Sequence, residues 1–77
     1  MNPKRRKQLS LLAKRVADIV SDLESLRDDE QADFDDLSER QQDGERGQAI
    51  RDNLSDIEDA LDNLDPVYNT LIGIAER

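Results

Sequence analysis

The chain predicts an all-α fold, an antiparallel two-helix hairpin of coiled-coil type, on three observations. From Ile50 to Ala75 the apolar residues Ile50, Leu54, Ile57, Leu61, Leu64, Tyr68, Leu71 and Ala75 are spaced alternately by four and three, which is a heptad repeat. A second seam of the same spacing runs through Leu9, Leu12, Val16, Ile19, Leu23 and Leu26. Between the two lies a polar stretch with Gly44 and Gly47, the composition of a connection.

The first helix is expected from about residue 3 to 37. Pro3 suits a first helical position, where its missing N–H would be unsatisfied anyway, and Asn2 is the natural N-cap. Ala13, Ala17 and Val20 flank the seam and widen it beyond a strict two-residue stripe, as in a bundle. After Leu26 the seam would fall on Glu30 and Asp33. The apolar residues resume instead at Phe34 and Leu37, a shift equivalent to a four-residue insertion. Ser38 stands three residues before Gln41, a capping-box spacing that predicts a short helical turn within the connection of residues 38 to 44.

The second helix is expected from about residue 45 to 76. Pro66 interrupts its hydrogen bonding, at a cost of roughly 3 kcal/mol. Either Asp65 caps a separate third helix, or one helix continues through a kink or brief interruption. The unbroken heptad phase through Leu64, Tyr68 and Leu71 favours the second reading. Folding back between Leu37 and Ile50 sets level those residues whose numbers total about 87. Phe34 then meets Leu54, Leu26 meets Leu61, Leu23 meets Leu64, Ile19 meets Tyr68, Val16 meets Leu71, and Glu30 faces Ile57. A lone hairpin would leave Ala13, Val20, Val67, Ile72 and Ile74 wet, and pairing of two hairpins into a four-helix bundle, or a heterologous partner, would cover them.

Composition narrows the chemistry. Seventy-seven residues with 35% hydrophobic and 3% aromatic content form one small domain with a thin core, and without cysteine or histidine neither disulfides nor the usual zinc ligands are available. The same absence removes the common nucleophile and base pairs, while Ser10, Ser21, Ser25, Ser38 and Ser55 read as surface or capping residues. A calcium-binding loop around Asp33, Asp35 and Asp36 lacks the glycine it requires. Asp33 with Asp36 and Asp56 with Asp59 have the one-turn spacing of magnesium-binding pyrophosphohydrolases, in a chain too short for that bundle. The expectation is therefore a protein that is not an enzyme, with no catalytic residue, metal or cofactor. Without a long apolar run or a signal-type start, a soluble, cytoplasmic protein with no membrane contact is expected.

Charge is segregated. Residues 1 to 15 hold Lys4, Arg5, Arg6, Lys7, Lys14 and Arg15 and no acid, a charge of +6, whereas the remainder carries −14, for −8 overall. A basic run at a helix start opposes the helix dipole, so Lys4, Arg5, Arg6 and Lys7 become a candidate arm for an acidic or phosphate-bearing surface. No aromatic residue interleaves the arm and the rest of the chain repels phosphates, so direct nucleic-acid binding is not expected. Asp52, Asp56, Asp59 and Asp62 form a candidate acidic face on the second helix.

The stretch Asp29 to Leu64 is similar to a motif in small acidic helical proteins encoded by phages and other mobile elements. There a Glu-Gln-x-x-Phe-Asp-x-Leu turn precedes Glu-Arg-Gly and an acidic heptad helix. Glu30, Gln31, Phe34, Asp35, Leu37, Glu45, Arg46 and Gly47 carry the match; Ser38 stands where many relatives have proline, and Pro66 is extra. The resemblance implies a mobile-element accessory protein and no defined activity. The residues and the resemblance together point to a non-catalytic interaction module, working as a homodimer or in a complex with another protein. The alternative is an acidic nucleic-acid mimic that blocks the groove of a DNA- or RNA-binding protein, as an anti-restriction or anti-CRISPR inhibitor would.

Overall fold

The computed structural model describes Met1 to Arg77 and contains three helices: α1 Pro3–Asp35, α2 Glu39–Gln42 and α3 Glu45–Ala75. Helix accounts for 88% of the chain and there is no strand. α1 and α3 lie antiparallel, giving a rod of 59 × 15 × 12 Å. No helix is long and apolar enough to cross a membrane.

The helix ends follow local chemistry. Asn2 Oδ1 accepts the Arg5 N–H at 2.8 Å with Pro3 just inside the helix. α1 stops at Asp35, two residues before the expected end, because Leu37 turns its N–H back to the Phe34 carbonyl in a tighter i→i−3 bond. Ser38 and Gln41 make the reciprocal capping box at 3.2 Å in each direction, so the connection holds a helical turn as its spacing predicts. The Gln42 side chain reaches back from this turn and donates Nε2 to the carbonyls of Phe34 (3.2 Å) and Leu37 (3.3 Å), covering the end of α1.

α3 runs unbroken from Glu45 to Ala75 with Pro66 inside it, so there is no third helix capped by Asp65. Packing of Leu64, Tyr68 and Leu71, all half-buried, on both sides of the proline offsets the lost hydrogen bond. Gly73, by contrast, has nothing within 4 Å of where a Cβ would stand. Gly73→Ala is expected to stabilise the isolated chain by about 1 kcal/mol through helix propensity alone. A urea titration followed by circular dichroism that shows no gain would reveal a close approach at this position.

Two expectations are corrected. α1 is rotated: Ala13 is fully buried (0% exposed) and Val20 half-buried, whereas Leu12, Ile19 and Leu26 are 44%, 50% and 55% exposed. The columns Arg6-Ala13-Val20-Arg27-Phe34 and Leu9-Val16-Leu23-Glu30 straddle α3, and every member is at least half-buried. The small Ala13 side chain lets the backbones approach, while Arg27 and Glu30 bond across to α3 and fix the rotation. Leu12, Ile19 and Leu26 therefore leave the seam, and only Val67 (45% exposed) remains exposed among the five residues expected off it, since Ile72 and Ile74 are half-buried.

The register also shifts. Arg27 stands level with Glu58, Glu30 with Asn53 and Phe34 with Arg51, so each partner is two to four residues earlier on α3 than expected. The pivot is Gln42, because Gly47 packs directly on its backbone and α3 begins without slack. Glu30 consequently accepts from Asn53 Nδ2 at 3.2 Å instead of facing Ile57. On α3 the expected seam holds: Ile50, Leu54, Ile57, Leu64, Tyr68 and Leu71 are half-buried and Leu61 is buried.

Candidate functional site

With no large side chain fully enclosed, the hairpin presents surfaces rather than a cavity. Its cross-helix polar contacts sit toward the turn. Arg27 donates Nη1 to Glu58 Oε1 at 2.9 Å and Nε to Asp28 Oδ1 at 3.4 Å, and the hydrogen bond accepted by the Glu58 carboxylate pushes the guanidinium pKa above its ordinary value. Arg51 lies over the Phe34 ring at 5.1 Å. Hydrophobic periodicity gave no sign of these pairs, though the seven-residue step from Val20 to Arg27 to Phe34 marks their column in retrospect.

The basic arm does not present one surface. Lys4, Arg5 and Lys7 are exposed, but Arg6 belongs to the column that faces α3, and its Nε is shielded from water without a partner. The seven-residue step from Arg6 to Ala13 is the signal that separates it from its neighbours. None of the six cations before residue 16 makes an ion pair within the chain, since both ion pairs belong to Arg27.

The four acids proposed as one face are likewise divided. Asp52 is held by Gln48 Nε2 at 2.9 Å on the outer side of α3. Asp56 borders a cleft with Leu26, Asp29, Glu30, Asn53 and Ile57, while Asp62 borders the opposite cleft with Val20, Glu24, Arg27, Glu58, Leu61 and Asp65. Asp59 is exposed. No three acids converge closely enough to hold a metal ion.

The exposed apolar side chains, in contrast, gather on one side. Leu12, Ile19 and Leu26 occupy the next column round α1 from Leu9-Val16-Leu23, roughly 50° further in a heptad coil. On α3 the equivalent column beyond Ile57-Leu64-Leu71 is Asn53, Ala60, Val67 and Ile74. Antiparallel packing turns both columns to the same side, and Leu26, Ile57 and Asn53 line one cleft there. Leu12, Ile19, Leu26 and Val67 thus form an exposed apolar strip on one side of the rod. Leu11 is exposed too; it stands about a quarter-turn further round α1 and shares a shallow cleft with Leu12, Gln8, Lys14, Arg15 and Asp18. Comparison with family models, curated proteins and solved structures finds no match to this chain.

Proposed function

We propose that this chain is a non-catalytic protein-interaction module, a phage or mobile-element accessory protein that binds another protein in the cytoplasm through its helical faces. The observation that carries the reading is the strip of Leu12, Ile19, Leu26 and Val67, each 44 to 55% exposed, whereas apart from Met1 and Leu11 the other large apolar side chains are buried or half-buried. The likeness of Glu30 to Gly47 to mobile-element proteins supplies the context. Lys4, Arg5 and Lys7, exposed and unpaired, add an electrostatic contact at one end. Affinity capture from a host extract tests the reading. Ile19→Glu is expected to lower capture of a partner at least tenfold, and a triple Lys4→Ala, Arg5→Ala, Lys7→Ala variant several-fold. A partner retained by both variants would reject these surfaces.

The uncompensated acids support a second reading, the nucleic-acid mimic: of nineteen, only Asp28 and Glu58 are ion-paired. A captured partner held by mimicry would be released steeply with salt and would compete with DNA or RNA. Changing Asp52, Asp56, Asp59 and Asp62 to Asn without loss of binding would eliminate this face.

A further inference from the structure

The geometry points to a second copy of this chain as the occupant of the strip, laid antiparallel so that the helices form a four-helix bundle with its two-fold axis near Ile19 and Val67. This rests on the reading of the helical faces as protein-binding and names which protein is bound.

Charge complementarity selects the occupant and its direction. The exposed column of α1 reads Arg5, Leu12, Ile19, Leu26, Asp33 in steps of seven, and it is complementary to itself when reversed about Ile19. Antiparallel pairing of two such columns sets Leu12 against Leu26 of the second copy, Ile19 against Ile19, and Arg5 against Asp33. Arg15 and Asp22, one turn to either side of Ile19, face each other at the flank. None of these four charged residues has an ion-pair partner within the chain. The matching column of α3 behaves in the same way, because reversal about Val67 sets Ala60 against Ile74.

The two centres nearly coincide. The cross-helix contacts Arg27–Glu58 and Glu30–Asn53 put Ile19 within about one to three residues of the level of Val67, so one axis passes near both helices' centres. Ile19 also lies near the middle of α1, so two rods would overlap along most of their length. With the axis along the rod instead, α1 would lie beside α3 of the second copy. Asp29 would then oppose Asp56, which shares its level, and the two basic ends would be gathered together. A second copy supplies the complement of this column from the chain's own sequence. The need for a cover is plain from the burial, since only Ala13, Gly47 and Leu61 are buried in the single hairpin.

Sedimentation equilibrium of the full chain at about 10 micromolar is expected to give twice its 8.8 kDa mass. Ile19→Glu, at an exposed position, should raise the dimer dissociation constant about a hundredfold or more with the helix signal retained, because each dimer loses the side chain twice. Asp33→Arg should weaken the dimer and Arg5→Asp in the same chain should restore it. Direction is read from single cysteines in this cysteine-free chain. Ile19→Cys should cross-link to itself on mild oxidation, and Leu12→Cys should cross-link to Leu26→Cys in a mixture. A cross-link between Ile19→Cys and Val67→Cys in place of these would overturn the arrangement. A helical monomer at this concentration would overturn the self-association. If such a monomer still captured a host protein in an Ile19-dependent way, the broader interaction function would stand; if it captured none, both would fall.

Discussion

Gly47→Ala is expected to destabilise the hairpin by about 3 kcal/mol or to leave it unfolded, although alanine is the better helix former by about 1 kcal/mol. Gly47 lies in the first turn of α3, buried, and a Cβ built there collides with the Gln42 carbonyl oxygen and comes within 2.6 Å of the Gln42 Cα. These are backbone atoms and cannot rotate aside. Relief requires α2 to move off α3, which breaks the two hydrogen bonds from Gln42 Nε2 to the end of α1 and frees the last turn. Gly73→Ala, in open space, provides the matched control with the opposite sign. Urea unfolding of the two variants and the parent, followed at the helical circular dichroism band, decides the matter: a Gly47→Ala protein as stable as its parent would mean that the turn does not close on Gln42.

The second large effect belongs to Leu61. It is the one large side chain that the hairpin nearly encloses, at 8% exposure, with Val20, Arg27 and Glu58 around it. Truncation to alanine is expected to cost about 2 to 3 kcal/mol, a large fraction of what so small a domain can possess. Leu26→Ala should cost less than about 1 kcal/mol in the dilute monomer, where that side chain is already wet. Repeating the titration at two protein concentrations separates the positions, because the penalty at Leu26 should grow with concentration while that at Leu61 persists at both. Equal penalties under dilute conditions would contradict the rotation of α1.

Much of the hairpin was legible because its signals are local. Asn2 with Pro3, and Ser38 with Gln41, act within three residues, so they mark helix starts without knowledge of the fold. The α3 seam was also legible, since its large side chains are the ones that pack. The α1 seam is hidden from periodicity for a physical reason: Leu12, Ile19 and Leu26 are more apolar than Ala13 and Arg27, yet contact between backbones is decided by the smallest side chain and by groups that bond across. Register was hidden in the fit of Gly47 on Gln42, a contact that no periodicity reports. The candidate surfaces were half legible. Lys4, Arg5 and Lys7 are exposed as expected, but Arg6 and Asp62 each lie on a different side from the residues grouped with them.

The length of the rod changes what the net charge means. At physiological ionic strength the screening length is about 8 Å, so a body 59 Å long spans several such lengths and its two ends do not sense each other. A molecule approaching the start of α1 meets an isolated cluster of cations, and one approaching the turn meets an isolated cluster of acids. The sequence pI of about 4.3 describes neither. A single hairpin is two oppositely charged objects on a rigid spacer, able to adhere to a cation-exchange surface by one tip while its average charge assigns it to an anion exchanger, and antiparallel pairing cancels this by laying each basic tip beside an acidic turn.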